Sequence, residues 1–134
     1  MRTAVLGASG LVGRTMLRLL EACPWVTGDP IALTSARSAG TTVPYRGHDL
    51  ICREVEPDSF AGVGLALFSA GGATSRRWGP VATACGAWVV DNSSAYRLEP
   101  DVPLVVPEIN GSLLKGTTGA GGIVANPNCS TIQM

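Results

Sequence analysis

The chain has 134 residues, of which 46% are hydrophobic and 15% are charged. This size and apolar content predict one domain with a buried core and argue against intrinsic disorder. Its ten basic and ten acidic residues cancel, so the charge does not favour nucleic acid or an anionic membrane as a partner. The sequence shows no signal peptide and no apolar stretch of the roughly 20 residues that a membrane-spanning helix needs.

Predicted strands and helices alternate along the chain. The strands are expected at residues 3–6, 31–34, 65–69, 87–90 and 123–125, with a ragged pair within 43–55, and the helices at 11–22 and 74–84. Pro24 ends the first helix, and Gly79-Pro80 predicts a break in the second. The alternation predicts a doubly wound, mainly parallel sheet with helices on both faces.

Polar and glycine residues follow the predicted strands. They occupy residues 7–10, 35–38, 69–72, 91–94 and 126–129. Ligands of open α/β sheets bind outside the carboxyl ends of the strands. These segments therefore predict one shared binding site.

The first of these segments belongs to a glycine loop, spaced G-x-x-G-x-x-G, between a strand and a helix. Glycine allows a tight turn and close approach of a phosphate, and the helix N-terminus supplies N–H donors. The alternative is a glycine-rich turn that binds no ligand. The candidate cofactor-binding residues are Gly7, Ser9, Gly10, Leu11, Val12 and Gly13, joined by Ser69, Gly71 and Gly72 after a later strand.

The end of the second strand distinguishes NAD from NADP. An NAD site places an acid there for the ribose 2′-OH, but this chain has none, and Asp29 precedes the strand. Ser35, Arg37 and Ser38 instead offer a cation and hydroxyl groups to a 2′-phosphate. The alternative for Arg37 is a solvated surface side chain. We predict NADP as the cofactor.

The four cysteines are widely spaced and include no C-x-x-C pair. This spacing argues against zinc or a redox dithiol, and the apolar content does not suit a disulfide scaffold. We predict a cytoplasmic protein with reduced thiols and no metal site. Cys23, Cys52 and Cys85 are expected to be buried structural residues.

Cys129 differs because it follows Asn126-Pro127-Asn128 at the predicted start of a helix. The positive end of a helix dipole favours a thiolate, which can attack an aldehyde. Asn128 and nearby backbone N–H groups could donate to the oxyanion that forms. The alternative is again a buried structural cysteine.

Six segments, in order, resemble those of the bacterial aspartate-semialdehyde dehydrogenases. They are residues 7–13 (GASGLVG), 35–40 (SARSAG), 67–72 (LFSAGG), 90–97 (VDNSSAYR), 105–110 (VVPEIN) and 126–131 (NPNCST). The resemblance runs from the first residue to the last. It implies a Rossmann-like NADP-binding domain over residues 1–127, with residues 128–134 opening a catalytic domain that is largely absent from this chain.

The resemblance also implies an activity. Members of that family interconvert L-aspartyl-4-phosphate and L-aspartate-4-semialdehyde with NADP(H), as homodimers, on the route to lysine, threonine and methionine. It makes Cys129 the nucleophile that forms an acyl thioester. It also makes Arg97 a ligand of the phosphate, an anion that guanidinium binds in a bidentate fork.

The catalytic base of that family is a histidine in the second domain, beside further substrate-binding residues. The single histidine of this chain, His48, matches no family site and is predicted to be a surface residue. We therefore expect a fragment that binds NADP but is inactive alone.

Other functions are possible on the same residues. An N-acetyl-glutamyl-phosphate reductase shares the glycine loop and a catalytic cysteine, but typically has glycine where this chain has Asn128. A non-catalytic nucleotide-binding paralogue would not need to retain Cys129 and Arg97. A short-chain sugar-nucleotide reductase should show Tyr-x-x-x-Lys, and neither Tyr45 nor Tyr96 has lysine at that spacing.

Overall fold

The computed structural model describes residues 1–117, 119 and 121–133. The strands are β1 (Thr3–Leu6), β2 (Ile31–Thr34), β3 (Thr42–Tyr45), β4 (His48–Ile51), β5 (Arg53–Glu54), β6 (Leu65–Phe68), β7 (Trp88–Asp91) and β8 (Gly122–Ala125). The helices are α1 (Leu11–Leu20), α2 (Gly72–Ala84), α3 (Pro107–Asn110) and α4 (Cys129–Ile132), with 3-10 turns at Ala36–Ser38 and Gly111–Leu114.

Among the described residues, six parallel strands form one sheet in the order β5-β2-β1-β6-β7-β8, and β3 pairs with β4 in a separate antiparallel hairpin. Without the hairpin, this is the 3-2-1-4-5-6 order of a Rossmann fold. The strand order reverses between β1 and β6, which are hydrogen-bonded neighbours. The predicted doubly wound parallel sheet is confirmed.

Side chains of β1 alternate between the two faces of the sheet. Ala4 and Leu6 pack into one core cluster with Trp78 of α2. Val5 packs into the other cluster with Leu17 of α1 and with the hairpin. Because successive strand side chains point to opposite faces, the helices cover both faces, as predicted.

The second helix differs from its prediction. It begins at Gly72 and continues through Pro80 to Ala84 without the expected break. Proline removes one helical N–H, but α2 packs on the sheet beside Gly79. A Cβ at Gly79 would lie 2.6 Å from the Tyr96 hydroxyl oxygen. This tertiary packing outweighs the local preference for a break.

The segment predicted as a ragged strand pair forms three short strands. A turn at Arg46-Gly47, with φ of 44° and 81°, connects β3 to β4, and positive φ at both positions suits a tight hairpin. The third strand, β5, pairs in parallel with β2. No helix in the described part of the chain is long and apolar enough to cross a membrane.

Candidate active site

Backbone hydrogen bonds hold the loops that follow the strands at the carboxyl edge of the sheet. Each bond runs from the amide just beyond one strand to a carbonyl at the end of its neighbour. They are Gly7 N–H to Leu33 O (2.9 Å), Ser69 N–H to Leu6 O (2.8 Å), Asn92 N–H to Phe68 O (2.9 Å) and Asn126 N–H to Asp91 O (2.8 Å). The segments predicted to share one site therefore lie in a row at this edge, but those at 91–94 and 126–129 do not line the cleft beside the glycine loop.

An open cleft of about 570 Å³ lies at this edge, bounded by the loops after β1, β2 and β6 and by α2. The predicted cofactor-binding residues that line it are Gly7, Ser9, Gly10, Ser35, Arg37, Ser38 and Ser69. Five others lie outside its lining, namely Leu11, Val12, Gly13, Gly71 and Gly72. The structure thus brings the glycine loop and the Ser35–Ser38 segment to one cavity.

The glycine loop is held by close backbone packing. Gly7 has φ of 91°, and a Cβ there would lie 2.3 Å from the Ser69 carbonyl oxygen. A Cβ at Gly13 would lie 2.1 Å from the Gly7 carbonyl oxygen. Gly13 therefore brings the first turn of α1 against the loop.

The first turn of α1 offers backbone donors. Its N-cap is Gly10, which has no side chain to cap the helix, and the first N–H groups of a helix have no partner within the helix. The Leu11 side chain is 85% exposed. Leu11, Val12 and Gly13 could therefore act on a phosphate through N–H groups.

Several residues that line the cleft were not predicted from the sequence. They are Thr34, Glu54, Ala73, Thr74, Arg77 and Trp78, together with apolar neighbours. Thr34 joins two of the loops, because its Oγ1 lies 2.8 Å from Ser9 Oγ. Since α2 begins at Gly72, a prediction that extended the helix back to this glycine would have placed Ala73, Thr74 and Arg77 at this edge.

A buried carboxylate lies at the end of β7. Asp91 is fully buried and accepts hydrogen bonds from Ser75 Oγ (2.6 Å), Ser93 Oγ (2.7 Å) and Ser93 N–H (3.3 Å). Ser93 Oγ accepts in turn from the Ala95 amide at 3.1 Å. These bonds fix the turn that leads to Arg97.

Tyr96 follows this turn and packs against α2. Its hydroxyl donates to the Ser75 carbonyl oxygen at 3.0 Å. Burial, and to a lesser degree the charge of Asp91, raise the pKa of Tyr96 above its ordinary value, although Arg76 lowers it. The phenol therefore remains a hydrogen-bond donor near neutral pH.

Arg97 connects two loops of the edge. Its Nε–H donates to the Asn126 carbonyl oxygen at 2.9 Å, and its Nη2 donates to the Asn92 carbonyl oxygen at 3.1 Å. Asn126 Nδ2 also donates to Asn92 Oδ1 at 2.7 Å. The half-buried guanidinium has five N–H bonds, so donors remain for an anion.

Cys129 is the first residue of α4, so the predicted helix start is confirmed. Asn128 caps this helix, and its Oδ1 accepts from the Ser130 amide at 2.9 Å. The Cys129 thiol lies 3.8 Å from the same oxygen and is exposed. Oδ1 only accepts hydrogen bonds, so the Nδ2 group of Asn128 is the side-chain donor that could bind an oxyanion.

The other cysteines correct one expectation. Cys52 is buried and Cys23 is partly buried, but Cys85, at the C-cap of α2, is exposed and is not a core residue. His48 is a surface residue, as predicted, and its Nε2 lies 2.9 Å from Asp29 Oδ2. Residues 1–117, 119 and 121–133 contain no group of three His, Cys, Asp or Glu that could hold a metal ion.

A Rossmann sheet with a glycine loop and an open cleft where the strand order reverses defines a dinucleotide-binding domain. The family model "Semialdehyde dehydrogenase, NAD binding domain" matches residues 2–117. The chain belongs to this family.

Individual relatives agree with the family. An aspartate-semialdehyde dehydrogenase of Bacillus subtilis is 48% identical over 134 residues, which is all of this chain and 38% of that protein. A crystal structure of aspartate semialdehyde dehydrogenase II from Vibrio cholerae, complexed with ASA, has a TM-score of 0.86 and 41% identity, covering 99% of this chain and 43% of that one. The enzyme of Candida albicans, solved with NADP, has a TM-score of 0.76 and 26% identity, covering 98% and 44%. This chain thus spans less than half the length of these relatives.

Proposed function

We propose that the chain is the cofactor-binding part of an NADP-dependent aspartate-semialdehyde dehydrogenase. The reaction is the reversible reductive dephosphorylation of L-aspartyl-4-phosphate to L-aspartate-4-semialdehyde, on the route to lysine, threonine and methionine. One observation supports it most. Arg97, the proposed phosphate ligand, is hydrogen-bonded to Asn126 in the loop that leads to Cys129, so the anion ligand and the nucleophile belong to one fixed unit.

In the oxidative direction, the Cys129 thiolate adds to the aldehyde carbon and forms a C–S bond. The carbonyl oxygen becomes an oxyanion, to which Asn128 Nδ2 and nearby amides donate. Bound NADP supplies the hydride acceptor, so that loss of hydride from the adduct leaves a thioester. Phosphate held by Arg97 attacks the thioester carbonyl, the C–S bond breaks, and aspartyl phosphate leaves with the thiolate restored.

The cleft fits NADP in the chemistry of its donors. The glycine loop and the first turn of α1 provide amides for the pyrophosphate. Arg37 lines the cleft in the 3-10 turn after β2, between Ser35 and Ser38, and these residues suit a 2′-phosphate. The structure of the Candida albicans relative was solved with NADP, which supports NADP as the cofactor.

The proposal includes a division of the chain. Residues 1–127 form the NADP-binding domain, and residues 128–134, of which Met134 lies outside the described residues, open the catalytic domain. The family resemblance implies that the catalytic base and further substrate-binding residues lie in that second domain. We therefore expect the 134-residue chain alone to turn over no semialdehyde, and we expect the full-length protein to be a cytoplasmic homodimer.

Trapping the acyl-enzyme tests the mechanism. The full-length protein is incubated with aspartate semialdehyde and NADP without phosphate, and its peptides are examined by mass spectrometry. We expect an aspartyl adduct on the peptide that contains Cys129. The control, Cys129→Ser, should retain fold and NADP binding but lose the adduct and nearly all turnover. An adduct on Cys23, Cys52 or Cys85 instead, or near-normal turnover by Cys129→Ser, would refute the assignment.

Cofactor choice has its own test. Arg37→Ala should weaken the binding of NADP by about 1.5–3 kcal/mol, the contribution of a charge-assisted hydrogen bond, and should weaken NAD much less. The measurement is calorimetric titration of both nucleotides. Equal losses for NADP and NAD would show that Arg37 does not bind the 2′-phosphate.

A further inference from the structure

Arg77 is a second cation in the cleft, and the mechanism above gives it no role. It lies in the second turn of α2, where Ala73, Thr74, Arg77 and Trp78 line the cavity. Residues three and four positions apart share one helix face. The spacing therefore directs this face of α2 toward the cleft, which Arg37 reaches from the turn after β2.

The surroundings of Arg77 restrict its position. Its guanidinium carbon lies 4.9 Å from the ring centroid of Trp78, and Trp78 is buried in the core against Phe60. A guanidinium over an aromatic face is attracted by the ring quadrupole. Neither of the ion pairs found among the described residues involves Arg77, so its charge is available to a ligand.

The charges that line the cleft show why a second cation matters. They are Arg37, Glu54 and Arg77. Glu54 cancels Arg37, so without Arg77 the lining would be neutral. A phosphate monoester carries about −1.5 to −2 charges at pH 7. Arg77 makes the lining net positive and favours such a group.

We infer that Arg77, together with Arg37, is a specificity determinant for the 2′-phosphate of NADP. The inference rests on the proposed function, because it requires an NADP site in this cleft. Arg77 then discriminates NADP from NAD by electrostatic attraction to the 2′-phosphate. The residues that distinguish NAD from NADP are ordinarily found in the segment after β2, and Arg77 lies more than 35 positions further along the chain.

The experiment uses adenosine 2′,5′-bisphosphate and adenosine 5′-monophosphate, which differ only in the 2′-phosphate. Both are titrated calorimetrically into the 134-residue chain at low ionic strength, because salt screens exposed charges. Arg77→Ala should lose about tenfold in affinity for the bisphosphate and little for the monophosphate. Arg77→Lys should retain most of the preference.

Arg76→Ala is the matched control. Arg76 is the adjacent arginine of the same helix, but its Nη1 lies 3.3 Å from Glu99 Oε1 and its guanidinium lies over the Tyr96 ring, outside the NADP cleft. The substitution Arg76→Ala changes the net charge of the protein by the same amount as Arg77→Ala. We expect it to leave the bisphosphate preference unchanged, which separates a local effect from bulk charge.

A variant of opposite sign checks the charge argument. Glu54→Gln should increase the preference for the bisphosphate severalfold, because an anion is removed from the lining. An unchanged or reduced preference in Glu54→Gln would overturn the argument from cleft charge.

The outcomes separate the two proposals. If the unmodified chain binds both adenosine phosphates equally, the NADP site and the role of Arg77 both fail. If the unmodified chain prefers the bisphosphate and Arg77→Ala retains that preference, only the role of Arg77 is overturned. An equal loss of affinity for both ligands in Arg77→Ala would mean that the side chain contacts the adenine or the 5′-phosphate. This result would also overturn the role of Arg77 at the 2′-phosphate.

Discussion

The Nε–H of Arg97 donates a hydrogen bond of 2.9 Å to the carbonyl oxygen of Asn126. This bond joins the loop after β7 to the loop after β8, and Cys129 begins α4 directly after the second loop. The guanidinium can therefore hold an anion and position the cysteine loop at the same time. A substitution at Arg97 should affect both.

Arg97→Lys separates charge from geometry. Lysine retains the positive charge but loses the Nε–H and the planar fork. In the full-length protein we expect the KM for phosphate to rise by about tenfold, with a much smaller change in NADP binding. Steady-state rates over a range of phosphate concentrations measure the first quantity and nucleotide titration the second. An unchanged KM for phosphate in Arg97→Lys would show that Arg97 does not bind the phosphate.

Ser75→Ala tests the buried carboxylate. It removes the 2.6 Å hydrogen bond to Asp91 Oδ1 and leaves a fully buried charge with fewer donors. We expect the free energy of unfolding to fall by about 1–3 kcal/mol, measured by urea denaturation. The control is Thr83→Ala on the same helix, whose hydroxyl donates only to the Pro80 carbonyl oxygen at an exposed position. Equal effects of the two substitutions would show that Asp91 does not depend on Ser75.

Gly13→Ala tests the packing of α1 on the glycine loop. The new Cβ would lie 2.1 Å from the Gly7 carbonyl oxygen, and a backbone atom cannot move aside as a flexible side chain can. We expect a loss of about 1–3 kcal/mol or more in the free energy of unfolding, in spite of the better helix propensity of alanine.

The control for that substitution is Gly72→Ala in the first turn of α2, where the nearest atom to a new Cβ lies 3.9 Å away. It should be neutral or slightly stabilising. Urea denaturation of both variants gives the comparison. A Gly13→Ala protein as stable as Gly72→Ala would contradict the close approach.

The exposed pair of His48 and Asp29 predicts a pH dependence of stability. The hydrogen bond to Asp29, and then its charge, raise the pKa of His48 above the ordinary 6.5. Because the pKa of His48 is higher in the folded state than in the unfolded state, the pair stabilises the fold fully below the unfolded pKa. This stabilisation is lost as the pH rises through the folded pKa. A hydrogen bond to the backbone of Arg46 and the charge of Asp49 also raise the pKa of His48, and partial desolvation lowers it.

Asp29→Asn should therefore lower Tm more at about pH 5.5 than at about pH 8.5, where less of the histidine is protonated. Thermal unfolding at the two pH values measures the difference. Asp58→Asn, at another exposed acid, should show no such pH dependence. A Tm change in Asp29→Asn that is the same at both pH values would refute the coupling.

The sheet could be predicted from the sequence because its signals are local. A short apolar run, a glycine loop and an amphipathic helix occur together within residues 3–20, and this pattern fixes a βα unit. Cys129 and Arg37 could be selected as candidate site residues for the same reason, since each lies in a short segment with distinctive neighbours.

The rest depends on contacts between distant parts of the chain. Arg97 and Asn126 are 29 residues apart and meet only because β7 and β8 are neighbours. Arg77 reaches the cleft because α2 packs on the sheet as one continuous helix, whereas the local signal of Gly79-Pro80 predicted a break in it. Glu54 enters the cleft because β5 pairs with β2, a pairing that two strand residues do not reveal.

The close approach between Gly13 and the Gly7 carbonyl changes how much a glycine fingerprint says about cofactors. Gly13 is required by the shape of the protein itself, and it lies outside the lining of the cleft. A descendant of this domain that had lost its nucleotide would still be selected to keep this glycine, whereas Arg37 would be free to drift. A sequence profile that seeks active members of the family should therefore give weight to the charged residues around the cleft and little to the third glycine.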